Sequence, residues 1–413
     1  MRGMIVIALI AAVTMVAGGV IASHIGDDAG GNGPTGSVET ATTTPMTGSQ
    51  PTTSGTQGGA PADQTAQTLA GTTGQQPSGS TDSVSTTPAG TGQIANVLQT
   101  KAPVRGAPIN GIQRIEDYYS EQYTFDNFTI GWRPGAFPKE RADQVAEQAR
   151  RALDEVNQKL GTNDHGEIEI LLADQMYLEE DCHGCQGYAF SDFRQVYILQ
   201  DGSMAEDEFE ALLTHEIGHV IAGSNIALPH VATLFMAEGL ATWLMTPALV
   251  EQGYIEPRQI AAWALKAGIL PPIWQLRKAD FEGRTGARLE YDPAASFTQF
   301  LIETYGMDDY KRIYAAELPD DVVGKTWEQL EQEWHDWLAE WADNSVGDAT
   351  ATSWWNASAL VKQGFDRLYA DETTVTQEQY GELATARVVL NKGDVEQAVA
   401  LMQASGLVPG TAN

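Results

Sequence analysis

The chain of 413 residues carries 55 acidic and 24 basic side chains, for a formal charge of −31. That balance excludes nucleic acid as a partner, because affinity for it rests on neutralising phosphates with Lys and Arg. The length allows two domains, but the composition shows that part of the chain lacks the apolar residues a core needs.

In chain order, residues 1–25 contain an uncharged, mostly apolar run over 4–22, with Arg2 before it and Asp27-Asp28 after it. Two readings fit. One is a signal peptide cut near Val20-Ile21-Ala22. The other is an uncleaved transmembrane helix, long enough at 1.5 Å per residue to span the hydrocarbon core; the length of the run and the stalk behind it favour this anchor. Either way the remainder is expected on the extracytoplasmic side, membrane-anchored or secreted. Residues 26–108 are rich in Thr, Gly, Ser, Gln and Pro, and no Lys or Arg occurs between Arg2 and Lys101. Such a stretch cannot bury enough surface to offset its chain entropy, so it reads as a disordered linker.

A folded domain is expected over 109–345. Tyr123 to Ile130 alternates as a strand does. Pro138 to Leu160 has the pattern of a charged amphipathic helix with Pro at its start. Glu167 to Leu172, Gly187 to Phe190 and Gln195 to Leu199 read as short strands. Between them lies Asp181-Cys182-His183-Gly184-Cys185. With no other cysteine in the chain, a second metal site lacks partners, and outside the cytoplasm Cys182 and Cys185 read as a small disulfide loop.

Residues 205–222 form the next predicted helix, and it contains His215-Glu216-Ile217-Gly218-His219. Residues four apart share one helical face, so the two imidazoles can aim at one point. Zinc accepts such nitrogens at about 2.0–2.1 Å, and a catalytic zinc takes three protein ligands and leaves one position open. Glu238, after a gap of eighteen residues and in the helical run Phe235 to Leu244, is the third candidate ligand. Glu216 is turned about 100° from His215, which suits it to take a proton from water rather than to ligate. The competing reading is a structural zinc or peptide-binding module on the cell surface without catalysis. The intact general base argues against it, since structural zinc sites are usually closed and four-coordinate.

His-Glu-x-x-His followed by Glu238 in an Ala-Glu-Gly-Leu-Ala context resembles the gluzincin metallopeptidases, among them the aminopeptidase-N-like and thermolysin-like families. The likeness runs over roughly 115–342 and is specific at the zinc motif. It implies a two-lobe α+β zincin fold: a small N-terminal mixed sheet with a helix, the motif helix at the cleft and a helical C-terminal lobe. It also implies that Tyr291, opening the helix after Glu290, steadies the oxyanion, and that Gly187-Tyr188-Ala189 is an edge strand pairing with a peptide or protein substrate. Two departures stand out. No Gly-Ala-Met-Glu-Asn segment occurs, which leaves an aminopeptidase assignment unsupported, and Thr242 stands where thermolysin-like enzymes place an Asp.

The last region, 354–413, reads as a helical tail in which Leu383 to Leu401 is similar to one tetratricopeptide hairpin. A single such unit cannot bury its own faces and is expected to pack on the preceding domain. The sequence thus leads to a zinc-dependent peptidase.

Overall fold

Asp126 turns the first strand back on itself. The stretch expected as one strand from Tyr123 to Ile130 is a hairpin of β1 (Glu121–Phe125) and β2 (Phe128–Trp132), with Phe125 opposite Phe128. Asp126 adopts φ 53°, the left-handed region that Asp tolerates, so Asp126-Asn127 closes a tight turn that the alternation conceals. This computed structural model describes residues 119–174, 186–200, 204–227, 232–279, 281, 288–342, 348–370 and 376–408. The segments 1–25 and 26–108 lie outside the described residues, as do Cys182 and Cys185 with their expected disulfide.

Helix α1 (Lys139–Leu160) begins behind Pro138 and stops at Gly161, whose φ of 60° ends the helix in a left-handed cap. Its apolar stripe of Ala142, Val145, Ala149, Leu153, Val156 and Leu160 is fully buried. The helix supplies the crossover that joining two parallel strands requires: β3 (Ile168–Ala173) pairs parallel with β2. The strand β5 (Gln195–Leu199) pairs parallel with β3, and β4 (Gly187–Phe190) pairs antiparallel with β5. The sheet is therefore mixed and five-stranded, in the order β1-β2-β3-β5-β4, with β4 at one edge.

Among the described residues every element after β5 is a helix: α2 (Glu206–Asn225), α3 (Leu234–Glu251), α4 (Pro257–Lys266), the single turn α5 (Ile273–Leu276), α6 (Arg288–Tyr305), α7 (Met307–Tyr314), α8 (Pro319–Val323), α9 (Trp327–Ala342), α10 (Asp348–Ala370), α11 (Gln377–Asn391) and α12 (Val395–Ser405). Helices thus follow a mixed sheet, and the class is α+β. One apolar core runs from Ile130, Ile170 and Val196 of the sheet through Leu213 and Ile217 of α2 to Leu240 of α3, Phe297 of α6 and Trp334 of α9. A second core gathers Trp354, Leu383 and Met402 of α10–α12 around Ile260 and Trp263 of α4.

The pairing of α3 with α6 is unusually close at Gly239. A Cβ there would stand 2.7 Å from the carbonyl oxygen of Ala294 and from Thr298 Oγ1, so only glycine lets these helices meet at this depth.

The expectation of a transmembrane helix is corrected: no helix among the described residues is long and apolar enough to cross a membrane. Helix α1 is amphipathic: it sets its buried stripe against a face carrying Lys139, Arg150, Arg151 and Asp154. The run 4–22 lies outside the described residues.

Candidate metal centre

Helix α2 opens with Glu206, Asp207 and Glu208, whose charges suit the positive end of the helix dipole. Its residues Phe209, Leu213, Ile217, Val220 and Ile221 are buried in the main core, which fixes the rotation of the helix about its axis. His215 and His219, one turn apart, then share the face turned toward α3. That helix begins at Thr233, whose hydroxyl accepts a hydrogen bond from the backbone N–H of Met236 at 3.4 Å. The cap sets Glu238 in the second turn, opposite the two imidazoles.

The three candidate ligands converge. His215 Nε2 lies 3.2 Å from Glu238 Oε2 and 3.2 Å from His219 Nε2. His219 Nε2 lies 3.5 Å from Glu238 Oε2. Zinc–ligand bonds of about 2.0–2.1 Å in tetrahedral geometry place the donor atoms about 3.3–3.4 Å apart. The triangle therefore has the size of three corners of a zinc tetrahedron, and two imidazoles with one carboxylate are a donor set that zinc accepts. Electrostatics agree with a site made for positive charge. Burial pushes the Glu238 carboxyl up, but the His219 and His215 rings outweigh it and hold it far below the ordinary carboxylate range. For His219, burial disfavours the charged ring, yet Glu238 and Glu216 prevail and push its pKa up to about 8.

Glu216, 4% exposed, faces the same region. Its burial pushes the carboxyl pKa up, against the lowering influence of His215 and His219. Strand β4 lies directly over it: a Cβ on Gly187 would stand 3.0 Å from Glu216 Cδ and overlap Oε1. Ala189, on the same side of the strand, is half-buried against the core. Tyr188 points to the opposite side, 41% exposed, with its ring 4.7 Å from that of Phe190.

Tyr291 stands in the first turns of α6 with its ring centroid 6.4 Å from that of His215. Its hydroxyl donates to the carbonyl oxygen of Phe281 at 2.7 Å. Burial pushes its pKa well above the usual value, with Glu238 and Glu216 adding to the shift, so the phenol stays protonated and able to donate. Thus the structure brings together His215, Glu216, His219, Glu238, Gly187 and the ring of Tyr291, while the Tyr291 hydroxyl is engaged with Phe281.

Sequence reasoning does not find Ser191, whose hydroxyl donates to the carbonyl oxygen of His219 at 3.1 Å and ties the end of β4 to a ligand-bearing turn of α2. A serine in a short turn carries no signal of that role. The outer shell of the triad also departs from the usual pattern, in which a ligating imidazole donates its second N–H to an acceptor. His215 Nδ1 is buried without a hydrogen-bond partner, and so is Thr242 Oγ1, one turn beyond Glu238 on α3. Compared with protein-family models, with curated proteins and with solved structures, the chain has no match.

Proposed function

We propose that this protein is a zinc-dependent hydrolase of peptide bonds, working in the manner of the gluzincins that its motif resembles. The observation that carries the reading is the triangle of His215, His219 and Glu238, of zinc size, with the carboxylate of Glu216 beside it. The packing of α1, strand β4 and α3 around the motif helix α2, with the helical lobe following the sheet, supports a zincin-like reading.

His215, His219 and Glu238 would hold the ion. Zinc bound there supplies a Lewis acid for the scissile carbonyl and lowers the pKa of a bound water. Glu216 takes the proton of the attacking water as the C–O bond forms, and returns it to the departing nitrogen as the C–N bond breaks. A carboxyl whose pKa is raised by burial is suited to hold that proton between the two transfers. Strand β4 stands at the edge of the sheet among the described residues, and an extended peptide added along it would be gripped by its main chain without demand for particular side chains.

The experiment is a comparison of the zinc-loaded protein with its Glu216→Gln variant on a peptide library, with metal content measured by mass spectrometry. The wild type cleaves and is silenced by a chelator; the variant keeps one zinc per chain and loses cleavage. Stoichiometric zinc with no cleavage of any library member by the wild type would replace this reading with a non-catalytic zinc module.

A further inference from the structure

One side chain of the C-terminal helices, Arg387, reaches both the motif helix and the residue that leads into the edge strand. Arg387 of α11 donates from one guanidinium nitrogen to Glu208 Oε2 at 2.6 Å, in the first turn of α2. From another it donates to Gln186 Oε1 at 3.0 Å, at the residue that leads into β4. The Gln186 backbone is itself bonded to the sheet, its carbonyl accepting from the N–H of Leu199 at 2.7 Å. Both charged partners are well buried, with side-chain exposures of 13% and 11%. A second cation of the same region, Lys392, pairs with Asp207 at 3.1 Å and contacts neither Gln186 nor β4.

The other end of β4 is tied to the same helix by the Ser191 hydroxyl on the His219 carbonyl. Five strand steps of about 3.3 Å from 186 to 191 and eleven helical steps of about 1.5 Å from 208 to 219 each cover about 16 Å. The strand is thus stretched along α2 between two fastenings, with Gly187 and its close approach to Glu216 between them. A planar guanidinium fork can hold two acceptors in fixed relation, which an ammonium cannot.

We propose that Arg387 is a positioning residue, which sets the place of edge strand β4 over the motif helix and thereby the fit of an extended peptide in the cleft. The role in peptide binding rests on the hydrolase reading above; the role in holding β4 does not. C-terminal helices that pack on α4 through Trp263 and Trp354 thus contribute a residue to the architecture of the site.

The test uses the full chain with three substitutions: Arg387→Met, Arg387→Lys and Lys392→Met. Hydrogen exchange of the β4 amides, zinc content, KM and kcat are measured for each. Arg387→Lys keeps a charge for Glu208 but loses the fork, so both Arg387 variants should exchange the β4 amides about tenfold faster than wild type. They should also raise KM about fivefold or more with kcat nearly unchanged and zinc retained, as loss of uniform binding does. Lys392→Met removes an ion pair to the same helical turn and leaves β4 exchange and KM at wild-type values. Restoration of wild-type exchange and KM by Arg387→Lys, or an equal effect from Lys392→Met, would overturn the proposal and leave Arg387 a general strut. Should wild type cleave no peptide, KM falls away with the hydrolase reading, and β4 exchange alone decides for or against Arg387.

Discussion

Gly187 and Glu216 occupy adjoining space so closely that no side chain fits between them: a Cβ at 187 would overlap Glu216 Oε1. The edge strand and the candidate general base are thus one assembly, and a change in the strand moves the carboxylate. Gly187→Ala is expected to push Glu216 out of place and lower kcat about 10²-fold or more, the range a misplaced acid–base group loses. Zinc stoichiometry should be unchanged, because the three ligands stand on α2 and α3. Steady-state kinetics with metal analysis checks this, and an alanine variant of wild-type kcat would show that the strand does not govern Glu216.

Removing the metal should leave three ligand atoms facing one another with nothing between them. Two imidazoles and a half-buried carboxylate within 3.5 Å depend on a shared proton or a cation to balance their charge. Zinc added to chelator-treated protein is therefore expected to raise the melting temperature in a concentration-dependent way. At a thousandfold excess over Kd the added stability is about 4 kcal/mol. Thermal scans across a zinc titration read this directly; an unmoved transition together with no bound metal would remove the metal centre itself.

Tyr291 offers a sharper discrimination. Its hydroxyl donates to the Phe281 carbonyl, and its ring lies beside His215. If the hydroxyl leaves Phe281 to meet the oxyanion during turnover, Tyr291→Phe lowers kcat about 10²-fold, as loss of one oxyanion donor does. We expect that outcome, with KM and zinc content near wild type. A variant that keeps its kcat and merely melts earlier would reduce Tyr291 to a tether for Phe281.

What the sequence makes legible here is local. His215, His219 and Glu216 can be placed because helical period alone decides which residues share a face, and α2 obeys it. Glu238 follows from its spacing behind the motif in a second run of helical pattern, Phe235 to Leu244. The hairpin at Asp126 escapes, since a two-residue turn interrupts the alternation without breaking its apolar rhythm. The link from Arg387 to Gln186 escapes for a different reason: it spans 201 residues, and no periodicity reports a contact of that reach. The engagement of the Tyr291 hydroxyl with Phe281 is likewise a matter of rotamer and packing, which residue type does not encode.

Acid should loosen the end of the motif helix through Asp164. Burial favours the protonated carboxyl, but hydrogen bonds from Arg194, the Gly166 backbone and Asn225 outweigh it and lower the pKa in the folded state. The Arg194 guanidinium donates to both oxygens at 2.8 and 2.9 Å, and Asn225 Nδ2 donates at 2.7 Å. Asp164 therefore joins the turn after β4 to the last turn of α2. Because folding lowers this pKa, its contribution is fully present above the unfolded value of about 3.9 and fades as pH falls through the folded one. Asp164→Asn is expected to cost about 1–3 kcal/mol at pH 7, the scale of hydrogen bonds to a charged group. The gap between variant and wild type should narrow below pH of about 3.9, as the wild-type carboxyl takes up its proton. Urea denaturation of both proteins at neutral and acid pH measures it, and a gap that stays constant with pH would show that the charge on Asp164 contributes nothing to holding the helix end.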